Sequence, residues 1–431
     1  MAMTYCAQRV GMIAAIFLTP VLAAAADWPS WRGPTGLGYT DEKDLPLKWS
    51  AKTGENIAWK SPLHGGDRNN TDFTSAGWSS PIVCKGRVFV TTAIWPKGLA
   101  EKERRASIAE HHVVCFDAKD GKELWDTVIP AGKILTLPSN IYQGYAVPTP
   151  CTDGTHVFAL FGSGVLASLD YEGTIAWREE LPYLKENDPG VCSSPILFED
   201  TVIVPGLQEK GLRALDKKTG KLKWEQVTKY RHTMATPALL RIQDKLQLIH
   251  HCQGFVMGAD PKTGDILWTC RAPASQSSPV YGGGLLYVDE GRGGRNGVAI
   301  DPTGAGDVSK SHVKWENSVE GVAGASAIIV DGHIYRASGQ NFIRCWSLKD
   351  GDLAHEIPAP RISPSASPIA TADGRLYFAG AGRTYVLNAS PKLEVLATND
   401  LDDGNDYASA AISDGSIYIK SRFLLWCIRK K

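Results

Sequence analysis

The 431-residue chain has no excess charge of either sign: 46 Lys and Arg stand against 46 Asp and Glu. That balance excludes the basic footprint of a nucleic-acid binder and any general attraction to an anionic membrane, so partners must be recognised locally. Long apolar runs are scarce too. One lies between Val10 and Leu22, interrupted by Gly11, Thr19 and Pro20, and is shorter than the roughly 20 residues of a spanning helix. With Arg9 before it and Ala23 to Ala26 after it, the segment 1–26 reads as a secretory signal peptide cleaved near Ala26; a single membrane anchor is the alternative. Asp27, not Cys, follows the run, so a lipid anchor is not indicated.

Cysteine pairs are also missing. Nine Cys occur, one of them (Cys6) in the signal segment, and none is adjacent to another or arranged as Cys-x-x-Cys or Cys-x-x-Cys-His. This leaves zinc-ribbon, c-type haem and thioredoxin-like chemistry unsupported. Cys115, Cys345 and Cys427 recur at one point of a strand pattern where a small buried hydrophobe fits, which favours free thiols over a disulfide framework. The adjacent pairs His111-His112 and His250-His251 would face opposite ways on a strand, so strand or surface histidines are favoured over metal ligands.

What is present is turn-rich and aromatic: 43 Gly and 13 Trp. Ser193 to Trp224 shows the unit. A small polar residue and Pro open a strand (Ile196 to Phe198), an acidic turn leads to a second (Thr201 to Val204), and a third (Gly211 to Leu215) ends at Asp216. The turn Asp216-Lys217-Lys218-Thr219-Gly220 precedes a fourth strand carrying Trp224. The opening pair recurs as Ser80-Pro81, Thr149-Pro150, Ser194-Pro195, Thr236-Pro237, Ser278-Pro279, Ser326-Ala327, Ser367-Pro368 and Ser409-Ala410. After the first interval the spacing is about 40 to 50 residues, that of propeller blades. Pro lacks an amide donor and marks a strand start.

The Asp…Gly…Trp turn recurs as Asp117/Gly121/Trp125, Asp216/Gly220/Trp224 and Asp260/Gly264/Trp268, and one residue shorter as Asp170/Gly173/Trp177. Asp accepts backbone amides, Gly supplies the left-handed residue, and Trp offers a flat apolar surface to dock neighbouring sheets. Trp59 and Trp315 belong to the same docking set. The pattern weakens in the sixth repeat (Ser347 for Asp, His355 for Trp) and the seventh (Asn388, Leu396), and the fifth has extra residues before Trp315.

The last repeat lacks its outer strand, whereas the segment around Trp59 looks like an outer strand without the other three. Pairing them predicts an all-β, eight-bladed propeller of four-stranded antiparallel blades, closed by its N- and C-terminal segments. The expected organisation is an irregular arm over 27–55 and a propeller over 56–431, whose last blade is completed by 56–62. Leu63 to Ala76 and Lys97 to His112 are insertions in the first blade, the second with helix-forming residues.

These repeats resemble the pyrroloquinoline-quinone-type repeat of eight-bladed propellers, and the opening Trp28 to Gly38, WPSWRGPTGLG, is similar to exported members of that family. The resemblance covers Trp28 to Lys431 and implies one of two functions. One branch comprises quinoprotein dehydrogenases, which bind the quinone and calcium over the channel; the other comprises non-catalytic scaffolds such as the BamB assembly lipoproteins. The adjacent-Cys disulfide of many alcohol-oxidising members is absent, and no local motif matches their calcium ligands or catalytic Asp. The lipoprotein scaffolds carry a Cys after the signal where this chain has Asp27.

The expected function is therefore an exported, periplasmic or extracellular, monomeric scaffold that binds a protein or glycan and is not an enzyme. The alternative is a dehydrogenase dependent on pyrroloquinoline quinone and calcium. No catalytic or metal residue is assigned. The candidate binding site is the channel mouth, where loops entering the inner strands supply Trp78, Asn140, Tyr142, Tyr145, Arg231, His232, Arg361, Asp406 and Tyr407.

Overall fold

The computed structural model describes residues 27–64, 75–96, 98–133, 145–181, 190–205, 210–228, 234–273, 277–289, 296–318, 324–380, 382–403, 408–421 and 423–431. The signal segment 1–26 lies outside them. Eight sheets, each built on four antiparallel strands, form an eight-bladed propeller. The unit read from residues 193–224 has strands at Ile196–Phe198, Thr201–Pro205, Lys210–Asp216 and Leu222–Val227, joined as a meander.

The blades are tied at their inner edge by the residue that opens each first strand. Ser80 N–H donates to Thr149 Oγ1, Thr149 to Ser194, Ser194 to Thr236 and Thr236 to Ser278, all at 2.9–3.0 Å. Ser278 donates to Ser326, Ser326 to Ser367, Ser367 to Ser409, and Ser409 back to Ser80, again at 2.9–3.0 Å. The circuit is complete and runs in one direction. A short hydroxyl-bearing side chain is required here because it must accept from the neighbouring backbone within the narrow gap between inner strands. Pro after it is dispensable, as Ala327 and Ala410 show.

At the outer edge the gap is wide and large rings fill it. Trp59, Trp125, Trp177 and Trp315 donate their indole N–H to Ala118 O, Tyr171 O, Lys217 O and Leu348 O of the next blade at 2.8–3.1 Å. Each ring lies over the turn glycine of that blade: a Cβ on Gly121, Gly173, Gly220 or Gly351 would fall 2.4–2.8 Å from it. These glycines also take positive φ, 71 to 86°. A bulge in each outer strand, at Leu124 opposite Cys115 and Phe116 in the first blade, sets the ring toward its partner.

Trp224 lies over Gly264 in the same way, a Cβ there falling 2.7 Å from its ring, while the fourth, sixth and seventh blades differ. Trp268 is fully buried and bonds Gln247 Oε1 of its own blade at 2.8 Å. The extra residues of the fifth repeat cover it, since Gly306–Asp307 adds a parallel strand to Ile266–Arg271. His355 is exposed. In the seventh blade the residue paired as the tryptophans are is Ala397, opposite Val386, while Leu396 takes the bulged position. Leu396 is thus not the Trp equivalent, and Trp49 of the arm packs in the same cluster as Ala397.

The closing strand Ile57–Pro62 pairs antiparallel with Leu424–Arg429, Trp59 opposite Cys427. The arm before it is irregular but ordered on the ring. Trp28 bridges Val83, Thr152 N–H bonds Pro29 O, Arg32 Nη2 reaches Ala327 O at 2.7 Å, and Tyr39–Thr40 runs parallel to Ile369–Thr371. These partners belong to the inner strands of blades one, two, six and seven and include Ala327, next to the ring residue Ser326, so the arm runs along the free edges of those strands and is not confined to the end where they finish. In the first blade the second insertion is shorter than expected: a helical turn spans Glu101–Arg105 and the third strand already begins at Glu110. The eight described cysteines are free, and burial pushes the Cys115 thiol up to about 12.

Candidate channel-mouth site

At one end of the channel, the chain enters each first strand and turns from each second strand into the third. The hydroxyl ring lies at this mouth. Beneath it, the upper ends of the second strands carry a layer of buried polar groups. Lys420, 2% exposed, donates Nζ to Gly77 O at 3.0 Å and Ser79 O at 3.2 Å, and so fastens the last blade to the first. Arg336 and Asp289, each 1% exposed, form an ion pair between blades six and five, and Ser277 Oγ donates to Asp289 Oδ1 at 2.5 Å.

The paired histidines behave as strand residues. His111 stacks on Phe161 with ring centroids 4.5 Å apart and bonds Ser163 Oγ at 2.6 Å. Burial holds its imidazole down to about 3, His112 and Arg178 adding to the effect. His251 donates Nε2–H to Pro273 O at 2.6 Å, and burial lowers it to about 4. Both are neutral at pH 7.

Three of the sequence candidates can be placed. Trp78 is half-buried just before Ser79. Tyr145 is 1% exposed, packed on Trp95 and His111 between blades one and two, so it is a core residue and not a lining one. Arg361 is exposed between blades six and seven, 3.6 Å from Asp400 and 3.8 Å from Asp402. Arg383 grips Asp400 with two bonds of 2.9 and 2.7 Å and holds its carboxyl below the usual range. These three are not brought together. Asn140, Tyr142, Arg231, His232, Asp406 and Tyr407 lie outside the described residues. Lys420, Asp289 and Arg336 were missed because their partners lie in other blades and leave no local motif.

The described carboxylates do not fit a calcium and quinone centre. Asp289 is committed to Arg336 and Ser277, Asp400 to Arg383, and Asp403 accepts the Trp426 indole at 2.7 Å. A calcium site needs several oxygens turned to one point, and these are turned into the blades.

A family profile described as outer membrane protein assembly factor BamB matches residues 109–355 and 243–431. The tetrathionate hydrolase of Acidithiobacillus ferrooxidans is 22% identical over 261 residues, 54% of this chain and 47% of its own length. The chain thus spans about half the length of that curated relative. Among solved structures, BamB from Moraxella catarrhalis superposes with a TM-score of 0.58 at 15% identity, covering 84% of this chain and 98% of that one. A europium-containing methanol dehydrogenase gives 0.51 at 12% identity, covering 91% and 89%. These structural likenesses extend to the fold.

Proposed function

This chain belongs to the BamB family of pyrroloquinoline-quinone-type repeat propellers, and from that premise we propose that it is an exported, non-catalytic scaffold of the cell envelope. It recognises a protein or glycan partner at the loop-bearing end of its channel and works as a monomer. On this reading 1–26 is removed on export, leaving the arm 27–55 and the propeller 56–431. The described residues contain no helix long and apolar enough to cross a membrane.

The observation that carries the reading is the state of the polar groups at the mouth. Lys420, Asp289 and Arg336 are spent on joining blades and Asp400 on Arg383 within the seventh blade, which makes a rigid rim and leaves the chemistry of recognition to the loops above it. Trp78 and Arg361, with Asn140, Tyr142, Arg231, His232, Asp406 and Tyr407, are the proposed contacts. Aromatic rings and cations on a preorganised frame suit sugars and peptides.

Photo-crosslinking residues placed at 78, 232 and 361 should capture one envelope partner, and one at Leu353 on the outer rim should not. Reconstitution with pyrroloquinoline quinone and calcium is the counter-test. Stoichiometric quinone uptake with substrate-dependent dye reduction would replace the scaffold reading with a dehydrogenase.

A further inference from the structure

Four arginines are buried among the described residues, and three of them face a carboxylate: Arg336 pairs with Asp289, Arg213 with Glu225 at 3.5 Å and Arg344 with Glu356 at 2.8 Å. Arg32 of the arm is the exception. It is 2% exposed and takes a positive φ of 62°, a conformation that a side chain other than Gly rarely adopts. Its Nη2 donates to Ala327 O at 2.7 Å, one residue from Ser326 of the hydroxyl ring, while Nε and Nη1 have no hydrogen-bond partner. Trp31 stands with its ring 5.7 Å from the guanidinium carbon, and the Tyr39 hydroxyl beside it is committed to Ile329 O. Burial lowers the guanidinium to about 10, so it remains a cation at pH 7. The arm wraps this group. Gly38 N–H bonds Arg32 O at 2.9 Å and closes the loop 32–38, Ala370 N–H of the seventh blade bonds Gly38 O, and a Cβ on Gly38 would stand 3.0 Å from Nη2 and 3.3 Å from Nε.

We propose that Arg32 binds one small monovalent anion, with chloride the best match, between the arm and blades six and seven, and that capture of the ion and docking of the arm are one event. A buried charge is stable in a fold when it is neutralised and hydrogen-bonded, and a guanidinium cannot shed its proton to escape that requirement. One uncompensated positive charge calls for one negative charge. A monatomic ion accepts from the unused N–H groups without needing donors of other kinds, and charge-assisted bonds of this sort are the strong ones. A bulky oxyanion does not suit a loop in which even a methyl group at Gly38 would crowd the guanidinium. The unpaired nitrogens are closed to solvent, so the ion enters when the loop lifts and is held when it settles. By mass action the anion then stabilises the docked arm.

The test uses the purified chain in sodium gluconate, with sodium chloride exchanged for it at constant ionic strength, followed by thermal melting and by hydrogen exchange over 27–40. Chloride at tenfold excess over its dissociation constant should slow exchange of the arm about tenfold and raise the melting temperature saturably. Arg32→Met keeps the length and removes the charge, and its arm should exchange equally in the two salts. Crystals grown in sodium bromide should show an anomalous peak in contact with the Arg32 guanidinium. No difference between chloride and gluconate, a chloride effect that survives in Arg32→Met, or water alone at the guanidinium in the bromide crystals would overturn the proposal. Acetate acting as strongly as chloride would overturn the assignment to a monatomic ion. The bromide map uses the unaltered chain, so it decides the matter even where Arg32→Met does not fold.

Discussion

The inner and outer edges of this propeller are built under different rules. All eight inner positions keep a hydroxyl and all eight hydrogen bonds form, from Ser80 round to Ser409. At the outer edge a tryptophan lies over the next blade's turn glycine at Trp59, Trp125, Trp177, Trp224 and Trp315, but the fourth blade's Trp268 is instead covered by an added strand, and at the seventh blade a Trp from the arm packs in. Blades diverge from the axis like wedges. Near the axis two backbones approach closely enough for only a Ser or Thr to fit and bond, whereas at the rim any bulky apolar material fills the space.

The largest test is to leave one blade without its outer strand. Deleting Asn56 to Lys60 removes the partner of Leu424–Arg429 and should abolish the folded monomer, giving aggregates in size-exclusion chromatography. A soluble, equally stable monomer would show that the rim is dispensable even where nothing replaces it. Next come the rings themselves. Trp268→Ala should cost about 3 to 5 kcal/mol in denaturant melts, as for other large buried aromatics. Trp224→Ala should cost roughly half as much, because its indole is only half-buried.

Acid probes the layer beneath the inner ring. His111 and His251 are held neutral in the fold, at about 3 and about 4, by burial. The unfolded chain takes up those protons near pH 6.5. Their contribution is therefore intact above about pH 6.5 and lost progressively as pH falls toward the folded values, at up to about 1.4 kcal/mol per pH unit for each. His111→Gln should flatten the slope of melting temperature against pH over that window. The smallest effect is expected at the ring: Ser194→Ala removes one acceptor and should cost about 1 kcal/mol. If it costs as much as Trp268→Ala, the inner edge is the stronger of the two.

This contrast also explains what was legible in the sequence. Ser-Pro starts, Asp…Gly…Trp turns and the complementary ends of the chain were readable because each is a local pattern repeated at one period. The reason for the Ser or Thr was not readable, since its partner lies a whole blade away. Leu396 was misplaced because a bulge shifts which residue faces inward, and no residue type marks it. At the candidate site, Tyr145 looked like a loop aromatic, but it falls between two blades whose packing no single repeat specifies. In the arm, neither Arg32 nor Trp49 signals its destination, because both reach blades more than half the chain away.

The seam has a consequence in time. Most blades can assemble from neighbours in sequence, as fast local events. The strand Ile57–Pro62 cannot, for its partner Leu424–Arg429 is made last, and the final ring bond joins residues 329 positions apart. Until then the earliest strand waits unpaired, so a chain truncated near its end carries an open edge at both extremities. Completion is a single late step that converts a string of blades into one cooperative body, and any lesion in the last few residues is felt at the first blade.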